Sequence, residues 1–316
     1  MALYLSEADV GALVGIDDAV TALENAFARW GKDGTENLPR QRLKLPGRGF
    51  NLMTAALPAE DVFGHKGYFT GCHLFALYSI SGRRLLALIE AGTLGALRTG
   101  AASGVATRRL ARTDATSVAL IGGGKQGRTQ LLAVCAVRRI GRVRVFSRTK
   151  GNREEFAARM SAELGIPVDP ADDAERCVRG ADIVIAATKS AEPVVLGDWL
   201  APGTHVNAIG ANAYARRELD DAAVLRAGLV VTDDRAQAKI EARELIDLVA
   251  GGGLRWEEVV ELGDLVRGVH SGRMDTGQIT VFKSLGIALE DVAFGNLIYR
   301  RALERGLGAE FGPGGK

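Results

Sequence analysis

A doubly wound parallel α/β sheet joined to a smaller α+β region is the fold class this sequence predicts. Three observations carry it. Residues 116–150 read as strand, glycine-rich turn, helix and second strand. After them, short apolar runs alternate with helical stretches, the rhythm of a parallel sheet. Before them, residues 38–90 lose the helical period and show strand-like runs without a nucleotide fingerprint.

The strand–turn–helix–strand unit is the most informative. Val118, Ala119, Leu120 and Ile121 form an apolar run, as expected of a strand buried on both faces. Gly122, Gly124 and Gly127 follow as G-x-G-x-x-G. A helical pattern continues with Leu131, Leu132, Cys135 and Val137 as its apolar positions, and Val143-Arg144-Val145-Phe146 closes the unit. Gly122 allows a tight turn, Gly124 lets the backbone approach a pyrophosphate, and Gly127 lets the helix pack close to the strand. The helix N-terminus then offers N–H groups and the positive end of its dipole to phosphate. Such a turn alone can be purely structural, but the complete unit around it makes a Rossmann-type dinucleotide site.

The end of the second strand selects the cofactor. Sites for NAD place Asp or Glu there, on the ribose 2′-hydroxyl. This chain has Ser147-Arg148-Thr149-Lys150 and no acid before Glu154. Arg148 can hold a 2′-phosphate through two hydrogen bonds, with Ser147 and Thr149 adding hydroxyl donors. The plain alternative is a solvated basic turn. The expected cofactor is NADP(H), with NAD(H) less favoured.

Composition bounds the rest. With 316 residues, 47% hydrophobic and 25% charged, the chain reads as a globular protein large enough for two domains. A net charge of +2 gives no support for nucleic acid or an anionic membrane as partner. Cys72, Cys135 and Cys177 lack metal spacing, and His65, His73, His205 and His270 form no ligand motif, so no metal is expected. The unpatterned thiols, the lack of a membrane-length apolar stretch and an N-terminus unlike a signal peptide point to the cytoplasm.

Along the chain, Ser6 and Asp9 resemble a capping box. Ile16, Val20, Leu23, Phe27 and Trp30 mark an amphipathic helix that Gly31 and Gly34 stop. Residues 43–45, 50–53, 74–80 and 85–89 read as strands, with Ser81-Gly82 as a hairpin turn. A helix rich in small residues begins at Leu97-Arg98-Thr99-Gly100 and runs to about Leu110. Residues 154–164 read as a helix and 182–187, 205–209 and 229–231 as buried strands. The last helix carries Leu285, Leu289, Val292, Asn296, Tyr299 and Leu303 on one stripe, before a glycine-rich tail at 312–315. The expected domains are 1–111 with 277–316, and 112–276.

Ligands in open α/β sheets sit outside the carboxyl ends of strands. Thr188, Gly210 and Asn212 fall at such ends, although each could be an ordinary turn residue. The first domain should supply the substrate site, and its cations in strand or helix context are Arg40, Arg42, Lys66 and Arg98. A lone Arg is usually a surface charge. Arg98 differs because it leads directly into the nucleotide domain. Cations beside a nicotinamide suit an anionic substrate, most simply a carboxylate in a guanidinium fork.

These segments resemble the ornithine cyclodeaminase/mu-crystallin family over nearly the whole length. The resemblance is carried by Ala96-Leu97-Arg98-Thr99-Gly100-Ala101-Ala102-Ser103, the Gly122-Gly123-Gly124-Lys125-Gln126-Gly127 loop and Pro202-Gly203-Thr204-His205-Val206-Asn207-Ala208-Ile209-Gly210. It continues in Arg217-Glu218-Leu219-Asp220, in Thr280-Val281-Phe282-Lys283-Ser284-Leu285-Gly286 and in Glu290-Asp291. The Ser147-Arg148-Thr149-Lys150 turn is similar to that of the mu-crystallin-type, NADPH-dependent ketimine reductases. The resemblance implies a homodimer, with the first domain's sheet forming both subunit interface and substrate pocket. It implies Arg42, Lys66 and Arg98 on the substrate, with Arg40 matching nearly as well as Arg42. The dinucleotide contacts it implies are Thr99, Gly124, Lys125, Gln126, Ser147, Arg148, Thr149, Thr188 and Ser284.

Departures narrow the activity. Asn51 and Asn212 stand where the cyclodeaminases carry acids, and an amide cannot act as a general base. Gly95 replaces a usual Thr, and the loop after Lys66 is short. The expected activity is therefore NADPH-dependent reduction of an α-imino acid or cyclic ketimine carboxylate, or the reverse amino acid dehydrogenation. Lys66 would polarise or protonate the imine nitrogen, Arg42 and Arg98 would clamp the carboxylate, and Asn212 would orient substrate or ribose. The alternatives are a redox-neutral cyclodeaminase with bound NAD and a non-catalytic NADPH-binding protein.

Overall fold

A computed structural model describes residues 1–46 and 48–312, so the last three residues of the expected glycine-rich tail, 313–315, lie outside the described residues. The chain forms two compact units, Thr99–Gly286 and, around it in sequence, Met1–Arg98 with the segment from Ile287 onward. The boundaries drawn from the sequence, at 111/112 and 276/277, both fall inside the central unit. One reason is the strand Thr280–Lys283, which pairs in parallel with both His205–Ala208 and Leu229–Thr232. Four residues long and wholly buried, it has no periodicity to announce it, and its partners lie far away in sequence.

The first unit carries a seven-stranded sheet. Its strands are β1 (Ala2–Leu5), β2 (Glu36–Leu45), β3 (Arg48–Leu57), β4 (Val62–Phe69), β5 (Cys72–Ser79) and β6 (Arg84–Glu90), with Ala309–Phe311 as the last. β2 to β6 form an antiparallel meander, β1 joins β6 in parallel, and Ala309–Phe311 closes that edge. The helices Glu7–Leu13, Ile16–Ala28 and Ala288–Arg305 belong to this unit. Ser6 and Asp9 form the expected capping box. The strands are longer than the apolar runs suggested, and β1 and β4 were not anticipated. Gly64 and Gly67 disguise β4, yet both are required. A Cβ on Gly64 would sit 2.6 Å from the Phe75 ring, and one on Gly67 2.8 Å from the Phe50 ring. The residues between Lys66 and Leu74 thus continue two strands around the turn at Thr70-Gly71.

Two helices correct the sequence reading. The small-residue helix spans Ala91–Leu110, so Arg98 lies inside it and not at its start. Gly92 and Gly95 weaken the local helical signal, but the Glu7 carboxylate accepts from the backbone of Gly92 and Thr93 and satisfies the helix end. Arg138 satisfies the other end by donating to the carbonyls of Thr107, Arg108 and Ala111. The final helix is buried on every side from Ala288 to Asn296, while Leu303 on its expected stripe is 55% exposed.

The second unit is an eight-stranded, all-parallel sheet. With β7 (Ser117–Ile121), β8 (Arg142–Phe146), β9 (Val168–Pro170), β10 (Ile183–Ala186), β11 (His205–Ala208), β12 (Leu229–Thr232), β13 (Val259–Glu261) and β14 (Thr280–Lys283), its order is β13-β12-β14-β11-β10-β7-β8-β9. Alternate residues of β7 and β10 feed two cores. Val118, Leu120, Ile183 and Ile185 pack with Leu131, Val134, Phe156 and Met160. Ala119, Ile121, Val184 and Ala186 pack with Val178, Ala223, Ala238 and Leu245. Strand order reverses between β7 and β10, which places the crevice for ligands at their carboxyl ends.

A polar network ties the small-residue helix to this sheet. His205, fully buried, lies 3.0 Å from Thr280 Oγ1 through Nδ1 and 3.2 Å from Asn207 Oδ1 through Nε2. Asn207 Nδ2 donates to Thr107 Oγ1 at 2.9 Å. Burial, with Arg273 adding repulsion, pushes the His205 pKa down to about 3. The folded protein therefore holds a neutral imidazole that the unfolded chain protonates below about pH 6.5. Stability from this group is complete above that pH and falls as pH drops toward 3. We expect His205 to remove about 2 kcal/mol of unfolding free energy between pH 7 and pH 5. Denaturant unfolding of wild type and His205→Gln at both pH values measures it, and parallel losses in the two proteins would contradict it.

Candidate active site

In the first unit, β4 points Lys66 inward, where the final helix presents Glu290 and Asp291 from its first turn. Lys66 Nζ donates to both Asp291 oxygens at 2.7 Å. Arg98 Nε donates to Asp291 Oδ1 at 3.0 Å and Nη1 to Glu290 Oε2 at 2.7 Å. All four side chains are buried. Among the described residues, the Nη2 edge of the Arg98 fork makes no hydrogen bond.

The electrostatics separate the two cations. Burial, reinforced by the Arg98 charge and by Arg40, lowers the Lys66 pKa to about 7 against the pull of Asp291. Burial opposes the Arg98 charge too, but Asp291 and Glu290 outweigh it and raise its pKa. Lys66 thus exchanges a proton near neutral pH while Arg98 stays charged. The Lys66 ammonium also lies 5.4 Å from the centre of the Tyr68 ring, and a Cβ on Gly95 would come within 3.9 Å of Nζ.

Depth separates Arg40 from Arg42. Leu38 pairs with Thr54 and Gln41 with Leu52, so Pro39 and Arg40 bulge opposite Met53 alone. The bulge suits Pro39, which has no N–H to give to the sheet, and β2 is an edge strand. Arg40 is buried there, and its charge reaches Lys66. Arg42 is exposed, with Nε 3.2 Å from Asn51 Oδ1. The structure therefore gathers Arg40, Lys66 and Arg98 and leaves Arg42 outside the buried set. Glu290 and Asp291 had no assigned role in the sequence reading. Two adjacent acids in an otherwise apolar helix start were the available signal.

In the second unit, the glycine loop has the geometry its spacing foretells. Gly122 adopts φ +111°, in the region that favours glycine. A Cβ on Gly127 would collide with the Gly122 carbonyl, and the space beside Gly124 is open. Gly124 caps the helix Lys125–Val137 without a side-chain acceptor, and the helix starts directly after the glycine turn that follows β7. Thr99 is buried, its carbonyl taking a bond from Gln130 Nε2 at 2.9 Å.

Beside the loop, Gly122, Phe146, Ser147, Arg148, Thr188 and Ser190 line part of a cavity of about 330 Å³. Arg148 and Thr149 are exposed, and Ser147 Oγ lies 3.5 Å from the Thr149 carbonyl. Arg153, which sequence reasoning passed over, is buried under the same turn, 5.7 Å from the Phe146 ring centre. Thr188 Oγ1 donates to Glu218 at 2.9 Å, and Ser284 Oγ donates to Asp233 at 3.1 Å. Asn212 is half-buried in the loop after β11. These features fit a dinucleotide: a turn only glycine can make, an uncapped helix start and a roomy strand-end cavity. No group of three or more His, Cys, Asp or Glu that could hold a metal occurs among the described residues. Nor is any described helix long and apolar enough to cross a membrane.

Known proteins resemble this chain over most of its length. Alanine dehydrogenase of Archaeoglobus fulgidus is 32% identical over 319 residues, covering 98% of this chain and 97% of its own length. A Delta(1)-pyrroline-2-carboxylate reductase of Bacillus cereus is 36% identical over 224 residues, 71% of this chain and 69% of that protein. The structure of the Thermococcus litoralis Delta(1)-pyrroline-2-carboxylate reductase, in complex with NADH and L-proline, superposes with a TM-score of 0.93 at 32% identity, covering 98% of this chain and all of that one. The family model matches residues 2–306, and the chain belongs to the ornithine cyclodeaminase/mu-crystallin family.

Proposed function

We propose that this chain is a nicotinamide-dinucleotide oxidoreductase that reduces an α-imino acid or cyclic ketimine carboxylate to the amino acid, or runs the same reaction in reverse. The observation that carries the reading is Lys66: a buried ammonium with its pKa lowered to about 7, held by Asp291 beside the Arg98 guanidinium. An imine nitrogen must gain a proton as its carbon gains hydride, and a donor poised near neutrality suits that step. The dinucleotide, when bound, supplies or takes the hydride. Arg98 offers its unengaged Nη2 edge to the substrate carboxylate, with Arg40 and Arg42 adding positive charge on the same sheet face. Asp291 fixes the direction in which Lys66 presents its proton. The relatives include alanine dehydrogenase and a pyrroline-2-carboxylate reductase, which act on this class of bond.

The cofactor we assign is NADP(H). The turn after β8 carries Ser147, Arg148 and Thr149 with Arg153 beneath, and no carboxylate to repel a 2′-phosphate. Asn212 is the residue we assign to orienting the substrate or ribose by its amide, and Thr99, Lys125, Gln126, Thr188 and Ser284 line the proposed dinucleotide path. Leu38, Leu43, Phe63 and Leu74 are exposed on the first unit, an apolar surface that a homodimer would cover.

NADPH should bind at least about tenfold more tightly than NADH, and Arg148→Asp should invert the preference. Fluorescence titration of both dinucleotides checks this, and equal affinities in the wild type would refute it.

For the chemistry, Lys66 is protonated below its pKa. Imine reduction should therefore lose kcat/KM about tenfold per pH unit above pH 7, while amino acid oxidation rises over the same range. Lys66→Arg keeps the charge beside Asp291 but does not release its proton, so it should erase that limb and lower turnover about a hundredfold or more. A wild-type profile flat from pH 6 to 9 would remove Lys66 from the proton step. Arg98→Ala should lower kcat/KM by at least about a hundredfold. It should also cost about 3–5 kcal/mol of stability, because Glu290 and Asp291 both lose the buried Arg98 guanidinium as a partner.

A further inference from the structure

Glu218, fully buried in the second unit, has no part in the reading above, yet it joins two strand ends there. Its Oε1 accepts from Thr188 N at 2.6 Å and Thr188 Oγ1 at 2.9 Å, just beyond β10. Its Oε2 accepts from Gly210 N at 2.6 Å and Ala211 N at 3.1 Å, just beyond β11. Four donors converge on one carboxylate, which as an ion has only acceptors to offer. Its backbone extends the connection. The Glu218 carbonyl takes bonds from Val194 and Val195, and the Ser190 carbonyl takes one from Arg217. Thr188, Ser190 and Val194 are walls of the strand-end cavity, and Ala211 precedes Asn212. Lys283 stands nearby, with Nζ 2.6 Å from the Ala211 carbonyl and 3.3 Å from Glu244 Oε1; burial raises the Glu218 pKa, and the Lys283 charge and the donors at Thr188 and Gly210 work against that rise. Gly210 leaves no alternative packing, because a Cβ there would strike both the Thr188 backbone and the Glu218 carboxylate.

We propose that Glu218 is a positioning residue which locks the cavity wall at 188–194 to the Gly210–Asn212 loop, and so sets dinucleotide affinity and turnover together. The inference rests on the dinucleotide reading of this unit. Without the carboxylate, the N–H groups of Thr188, Gly210 and Ala211 lose their acceptor, and the two strand ends no longer share an anchor. An amide is a poor substitute. Glu218→Gln keeps one acceptor oxygen, but its NH₂ must face donors at the other strand end.

The test uses the full chain and NADPH. Glu218→Gln should raise the NADPH Kd at least about tenfold and lower kcat at saturating NADPH as well. Glu218→Asp keeps the charge but is one methylene too short to reach both strand ends, so it should lose less; it carries the comparison if Glu218→Gln does not fold. Val206→Ala, in the core of β11, is the control for stability alone: at a similar loss of Tm it should leave the Kd within about twofold of wild type. Wild-type NADPH binding with unchanged affinity in the folded Glu218 variants overturns the positioning role and leaves the proposed function standing. So does an equal loss of affinity in Val206→Ala. A wild-type protein that binds neither NADPH nor NADH overturns both.

Discussion

The first unit depends on one buried ionic contact, that of Glu290 and Asp291 with Lys66 and Arg98. Bringing these charges out of water costs several kcal/mol each, and the cost is recovered only if every charge finds a partner in good geometry. The partners come from three separate places: a strand, the long small-residue helix and the first turn of the last helix. The acids sit at a helix N-terminus, where the helix dipole favours negative charge. The same arrangement sets the two cations apart. Two cations close together in a dry place cannot both be comfortable, and the ammonium yields first because a guanidinium holds its proton far more tightly. Charge pairing and the lowered Lys66 pKa therefore have one origin here.

The second unit answers a different constraint. A fully parallel sheet has its strands buried on both faces, so its ligand chemistry is confined to strand ends. Backbone groups left unpaired where strands stop need acceptors or donors. At the β7 end stand a glycine turn and a helix start whose N-cap, Gly124, has no side-chain acceptor. At the β10 and β11 ends, the Glu218 carboxylate takes them internally. At the β14 end, Asp233 accepts from the backbone of Leu285 and Gly286. Neighbouring strand ends are thus finished in opposite ways: the β7 end by a glycine turn and a helix start, and the β10, β11 and β14 ends by two buried acids, Glu218 and Asp233. This explains why Thr188 and Ser284, picked out as dinucleotide contacts, turn their hydroxyls inward to Glu218 and Asp233.

Legibility followed the range of the interaction. The glycine loop was readable because turn, close approach and helix start act within a few residues, and each demands glycine for a steric reason. The capping box at Ser6 was readable for the same reason. The strand Val62–Phe69 was hidden by glycines whose need arises from Phe75 and Phe50 on adjacent strands. The true start of the small-residue helix depended on Glu7, more than 80 residues earlier. Arg40 and Arg42 looked equivalent because strand parity places both on one face, and only the bulge at Pro39 and the depth of the fold set them apart.

The sequence by itself determined what local stereochemistry can determine: the parallel α/β class, the nucleotide turn, the basic residues after β8, and Lys66 and Arg98 as the cations to watch. Only the tertiary structure decided which acids those cations meet and that burial lowers the Lys66 pKa while the Arg98 pKa rises. It also decided that Thr280–Lys283 belongs to the parallel sheet and that Glu218 anchors two strand ends. Each of these rests on groups that are distant along the chain and adjacent in space. Their energies come from burial and charge pairing, which no window of neighbouring residues contains.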